Sequence, residues 1–265
     1  MRIGIIGCTG RMGRTLIQEV LNNSKAKLSG GSERAGNQFI GHDIGEVIGI
    51  GKTGFKVNDD NESLVKSSDA VIDFTTPENS LGIAELCAKY KKAHIIGTTG
   101  FSEKQKAELQ KHAKKAAILL SPNMSIGVNV VMDIAEKLAA LLDETYDIEI
   151  VEMHHNKKVD APSGTALGLG HAVARGRGVK LEKKWQKVRD GVTGARKAGD
   201  IGFATLRGGD VAGDHTVMFA ADGERVELTH KASNRSVFAK GAVRAAIWAK
   251  GKKPGFYSMK DVIKG

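Results

Sequence analysis

The chain has 265 residues, enough for one large domain or two modest ones, and its 41% apolar and 26% charged side chains exclude disordered, fibrous and collagen-like classes. No apolar run approaches the ~20 residues of a membrane helix, and the amino terminus does not read as a cleaved signal. Forty Lys and Arg against thirty Asp and Glu give a net charge of +10, which admits nucleic acid, a membrane surface or small anions as partners and chooses among none of them. The two cysteines, Cys8 and Cys87, fit no metal-ligand or CxxC spacing, so a reducing, cytoplasmic setting is expected.

In chain order, "RIGIIG" is expected as a buried strand, followed by a helix with Met12, Leu16, Ile17, Val20 and Leu21 on one face. "KAKLSGGSER" is a second strand and "DAVIDFT" a third, with Thr76 and Pro77 starting the next helix. "AHIIGTTGF" and "AAILLSPNMS" are two more, separated by a Lys- and Ala-rich helix that Ser102 can cap. Five βα units by the mid-120s read as a Rossmann-like parallel α/β sheet. Beyond Ser125 comes an amphipathic helix, "IGVNVVMDIAEKLAALL", then a half-exposed strand, "YDIEIVEMHH". "HTVMFAADGERVELTHKAS" is a hairpin around Asp222 and Gly223. These elements predict a second, α+β domain with a mixed open sheet over 125–235. The helix "SVFAKGAVRAAIWAKG" and the tail "SMKDVI" are assigned to the first domain, giving it 1–124 with 236–265.

The segment from Ala174 to Lys197 carries much of the basic excess but only one aromatic, Trp185. Surfaces that stack bases interleave more aromatics, so a solvated rim that steers anions is expected and nucleic acid is not.

"GCTGRMGR" (Gly7, Cys8, Thr9, Gly10, Arg11, Met12, Gly13, Arg14) lies between a strand and a helix, with Glu33 about twenty residues beyond the last glycine. That context predicts a tight turn bringing helix amides to a pyrophosphate, and an acid on the ribose hydroxyls. Arg34 beside Glu33 offers a guanidinium to a 2′-phosphate, so either NADH or NADPH is expected. Gly97, Thr98 and Thr99, and Ser121, Pro122, Asn123 and Met124, fall at strand ends where such folds bind ligands.

The densest chemistry is "EMHHNKKVDAPSGTA", Glu152 to Ala166. Adjacent histidines lack helical i, i+4 spacing, and lysines stand where carboxylate or thiolate ligands belong, so no metal is expected. Histidine and lysine at a strand end, followed by a helix start with free amides, instead fit a small acidic substrate that must receive a proton beside a reduced nicotinamide.

With "DFTTPE", "IGTTGF", "PNMSIGVN", "IGFATLRGGDVAGDHTVMFA" and "LTHKASNR" added to these motifs, the chain resembles the 4-hydroxy-tetrahydrodipicolinate reductase (dihydrodipicolinate reductase) family over nearly its whole length. The resemblance implies NAD(P)H-dependent reduction of a cyclic dicarboxylate in diaminopimelate and lysine biosynthesis. It implies His154 as proton donor or acceptor, Lys158 as proton donor, and His155, Gly164 and Thr165 as substrate-binding residues. Gly7 to Met12, Glu33, Arg34, Gly97 to Thr99 and Ser121 to Met124 would contact the cofactor, and the second domain's sheet would build a homotetramer. Met124 stands where some members carry an aromatic, and the basic stretch 175–187 matches no family motif. Two other classes remain open on the residues alone: a nicotinamide-dependent reductase of an amino-acid semialdehyde or imine, and a basic nucleic-acid-binding protein.

Overall fold

The computed structural model describes all 265 residues, Met1–Gly265. In chain order the elements are β1 (Arg2–Ile6), α1 (Arg11–Leu21), β2 (Lys27–Ser32), α2 (Ile44–Ile48), β3 (Val57–Asn58), α3 (Asn61–Ser67), β4 (Ala70–Asp73), α4 (Pro77–Tyr90), β5 (Ala93–Ile96), α5 (Glu103–His112) and β6 (Ala117–Leu120). There follow α6 (Ile126–Leu141), β7 (Asp147–His154), α7 (Gly164–Gly176), α8 (Leu181–Lys184), β8 (Trp185–Gln186), β9 (Ile201–Arg207), β10 (Gly213–Ala221), β11 (Glu224–Ala232), α9 (Ser236–Trp248), β12 (Gly255–Tyr257) and α10 (Met259–Lys264). They form two compact units, one of residues 1–126 with 235–265 and one of residues 127–234.

The first unit holds a seven-stranded parallel sheet in the order β12-β6-β5-β4-β1-β2-β3. Helices cover both faces, so β1 and β4 are continuous buried runs instead of alternating ones. On α1, Leu16, Ile17 and Val20 are fully buried, but Leu21 is 46% exposed: the apolar stripe ends one residue earlier than the periodicity predicts. Thr76 caps α4 with Pro77 in its first turn, and Ser102 forms a capping box with Gln105 on α5. Between α9 and the tail, which forms α10, lies a strand with no counterpart among the predicted elements, β12, alongside β6.

In the second unit the order is β11-β10-β7-β9-β8, with β7 parallel to β9 and antiparallel to β10. Residues of β7 alternate strictly between half-buried and buried. Ile148 and Ile150 join Phe203, Val217, Phe219, Leu169 and Val173 in the core under the helices. The same face turns polar toward the carboxyl end of β7, where Glu152 and His154 stand beside Thr205 and Arg207 of β9, and Glu152 lies across from His215 of β10.

The basic segment is less of a free rim than its composition predicts. Arg175 pairs with Glu136 at 2.7 Å and Arg177 donates to the Tyr146 carbonyl, while Arg189 and Arg196 both clamp Glu149 of β7.

Candidate active site

The nucleotide turn is built by crowding. A Cβ on Gly13 would sit 2.2 Å from the Gly7 carbonyl oxygen, so only glycine lets α1 approach β1 this closely, and Gly7 takes φ +71° to make the turn. Gly7 and Cys8 N–H donate to the Ser32 carbonyl, Gly10 N–H to the Gly7 carbonyl, and Thr9 N–H to Glu33 Oε1 at 2.8 Å. With those amides engaged, the anion-receiving groups are the N–H of Arg11, Met12 and Gly13, at a helix start with no side-chain cap and no acid in its first turn. This is the donor set a pyrophosphate requires. Glu33 and Arg34 line a cleft of about 280 Å³ with Gly7, Thr75, Thr76 and Asn79, and this carboxylate and guanidinium are the groups that could hold a ribose and its 2′ substituent.

Cys8 belongs to the turn through its backbone. Its side chain is fully buried and packs on Gly31, and burial followed by the Glu33 charge pushes the thiol up to about 12, which removes any nucleophilic role at neutral pH.

Thr98 is a brace under the same cleft. Its hydroxyl accepts from Thr75 N–H at 2.9 Å and lies 3.1 Å from Ser80 Oγ, and both Thr75 and Ser80 donate to the buried Asp73 carboxylate. His94, also fully buried, places Nε2 3.4 Å from Asp73. Burial works to raise the Asp73 pKa, but His94, Thr75 and Ser80 outweigh it and hold the carboxyl below its usual range. Gly97 is pinned against the Phe74 ring, while Thr99 is exposed. Ser121 and Asn123 are buried in their own turn, where Ser121 Oγ donates to the Asn123 carbonyl and Ser125 N–H to Asn123 Oδ1. Pro122 is exposed. The Met124 side chain lies in the core, which leaves its backbone as the part available to a ligand.

In the second unit, His154 is 9% exposed and its Nδ1 lies 2.6 Å from Glu152 Oε2. Arg207 forks onto both Glu152 oxygens, at 2.9 and 3.1 Å, and Ser163 N–H donates to Oε1 at 3.0 Å. Burial raises the Glu152 pKa, yet Arg207, His154 and Ser163 together hold the carboxyl below its usual range. His154 moves down as well: burial disfavours its charge more than Glu152 favours it. Lys158 Nζ sits 2.8 Å from both oxygens of Asp160, and Asp160's carbonyl accepts from Arg207 at 2.7 Å. Lys157 is exposed.

Ser163 caps α7 by accepting from Ala166 N–H, and its hydroxyl lies 2.9 Å from His215 Nε2. Gly164 and Thr165 form the first turn of α7, which carries no acid. A carboxylate is therefore favoured there. His155 leaves the strand, donating its amide to the Val211 carbonyl and accepting Lys157 N–H at Nδ1.

Glu152, Asp160, Ser163, Arg207 and His215 were not singled out as functional residues on sequence grounds. Glu152 had a usable signal: it lies two positions before His154 on an alternating strand, hence on the same face. Arg207 and His215 lie in the family-like run "IGFATLRGGDVAGDHTVMFA", but only the sheet register sets them against His154 and Glu152.

The dihydrodipicolinate reductase amino-terminal family model matches residues 1–124 and the carboxyl-terminal model residues 127–263. The 4-hydroxy-tetrahydrodipicolinate reductase of Ruegeria pomeroyi is 51% identical over 98% of this chain and 97% of its own, and that of Brucella abortus 51% over 99% and 98%. The solved structure of dipicolinate-bound dihydrodipicolinate reductase from Paenisporosarcina sp. TG-14 superposes with a TM-score of 0.74 at 27% identity, covering 97% of each chain. A Rossmann-type unit fitted to a nicotinamide dinucleotide, a separate mixed-sheet unit, and family models matching from end to end agree: this chain belongs to the dihydrodipicolinate reductase family.

Proposed function

We propose that His154 and Lys158 supply the proton chemistry of the reaction this family carries out, the NAD(P)H-dependent reduction of (hydroxy)dihydrodipicolinate to tetrahydrodipicolinate in diaminopimelate and lysine biosynthesis. The chain is an oxidoreductase, and the reduced nicotinamide, when bound to the first unit, supplies the hydride. The observation that carries the residue assignment is the joining of His154, Glu152, Arg207, Asp160 and Lys158 by hydrogen bonds beside the acid-free start of α7.

The substrate class is a cyclic, unsaturated dicarboxylate, and the dipicolinate bound in the Paenisporosarcina structure is a cyclic dicarboxylate too. One carboxylate would lie against the N–H groups of Gly164 and Thr165, with His155 beside it. Lys158 already holds a carboxylate, that of Asp160, so substrate would share or displace that partner. Burial favours the neutral form of His154, which turns Nδ1 toward the Glu152 carboxylate and leaves Nε2 for proton exchange. The setting is the cytoplasm, consistent with two buried free thiols, and the assembly is a homotetramer formed through the second unit's sheet.

The test is a coupled assay in which aspartate semialdehyde, pyruvate and a synthase generate the labile substrate and NADH or NADPH consumption is followed. His154→Gln and Lys158→Ala should each lower kcat by about 10² or more, and Thr165→Val should mainly raise KM. Wild-type turnover in both the His154 and Lys158 variants would remove the assigned roles.

A further inference from the structure

We propose that Glu152 is the positioning carboxylate of His154, fixing the ring through Nδ1–H so that Nε2 exchanges the proton, and that Arg207 keys this same carboxylate to the Lys158 loop. The inference rests on the reading that His154 handles a proton in the reduction.

Glu152 is 1% exposed, and its two oxygens divide their tasks. Oε2 receives the His154 ring and one Arg207 nitrogen, while Oε1 receives the other Arg207 nitrogen and Ser163 N–H. A carboxylate held by His154, the Arg207 fork and Ser163, with the Thr205 hydroxyl 3.4 Å from Oε1, cannot swing away, so the ring bound to it has one orientation and one neutral tautomer. On the other side of the ring, Gly213 leaves room: a Cβ there would come within 3.0 Å of His154 Nε2.

Arg207 extends the arrangement. The guanidinium that neutralises Glu152 also donates to the Asp160 carbonyl, and Asp160's carboxylate holds Lys158. The two proton-bearing residues are thus set by one fork from β9, and a lysine could not make the same bidentate contact. The charged and titratable groups around His154 are Glu152 on its own strand, Arg207 on β9, Lys158 and Asp160 in the loop, and His215 on β10, whose ring centroid is 5.1 Å away, with His230 of β11 beyond it.

The decisive measurement is a nitrogen-15 titration of histidine-labelled full-length protein, with the His154 signal identified by its loss in His154→Gln. Wild type should show the Nδ1–H tautomer when neutral. Glu152→Gln should move the His154 midpoint to lower pH, by about one unit, because a favourable negative charge is gone. Arg207→Gln should move it up, because a repelling positive charge is gone. General loosening of the site would instead raise the midpoint in both variants by admitting water, so opposite signs separate positioning from mere structural support.

In turnover, Glu152→Gln should lower kcat about 10- to 100-fold and leave the KM for NAD(P)H unchanged. Combined with His154→Gln, it should cost nothing further. Identical His154 titrations in wild type and Glu152→Gln, or losses that multiply in the double variant, would overturn the proposal. Were the wild-type enzyme inactive in the coupled assay, the reduction reading would fall, while the titration would still decide what Glu152 does to His154.

Discussion

His215 shows what a single buried ring costs. It is 4% exposed, its Nε2 is engaged with the Ser163 hydroxyl, and Nδ1 has no hydrogen-bond partner. Burial, and next the neighbouring His154, push its pKa down to about 3. In the unfolded chain the same ring titrates near its ordinary value of about 6.5. Between those two values the unfolded state binds the extra proton, so stability falls as pH falls across that window, by up to about 1.4 kcal/mol per pH unit. The expected outcome is a melting temperature that drops steadily from pH 6 to pH 4, with a flatter profile in His215→Asn; parallel profiles for the two proteins would contradict it. The residues legible in the sequence are those that local order brings together: His154, His155, Lys158, Gly164 and Thr165 fall within one short stretch. Arg207 and His215 are 53 and 61 positions from His154, and no periodicity encodes the register that sets them against it.

Among the elements, α9 has the most exacting contact. Gly241 faces the turn after β6, and a Cβ there would lie 1.7 Å from the Met124 carbonyl oxygen. Backbone would have to move, which flexible side chains elsewhere in the core would not require. That turn holds Ser121 to Met124, four of the expected cofactor contacts. Gly241→Ala should therefore destabilise the protein by about 1–3 kcal/mol in a denaturant titration. It should also weaken NADH and NADPH binding in a fluorescence titration, although residue 241 itself is buried and outside the cleft. Unchanged binding with lowered stability would mean that the turn tolerates the shift. The long elements were readable because their apolar spacing is long-lived: α1, α6, β7 and the β10–β11 hairpin all carry a repeat. β12 was not, since three residues after a proline hold no period and form a strand only because β6 offers a free edge.

For the molecule as a whole, the question is what covers the bare side of the second unit's sheet. The helix-side face is closed by α6 and α7, but Val151 and Met153 of β7, Ala204 and Leu206 of β9, and Thr216 and Met218 of β10 share the other face. Leu206 is 50% exposed and Ala204 is exposed too. A row of apolar side chains on a strand face is where a second copy would pack. At one end of this face, Arg189 and Arg196 lie over Glu149, so the self-complementary area is bounded by charge. In the proposed homotetramer this surface meets its own copy, and an isologous contact introduces any new charge twice, once from each copy. Leu206→Glu should then bury an unpaired carboxylate from each copy in the apolar interface and shift the sedimentation profile from tetramer to smaller species. Leu141→Glu is the control, since Leu141 is 81% exposed at the end of α6 on the sheet's helix side, and it should leave the assembly intact. The pair discriminates: dissociation in the Leu206 variant alone assigns the interface to the open sheet face, while a wild-type chain that sediments as a monomer, or tetramers in both variants, would place the assembly surface elsewhere or remove it.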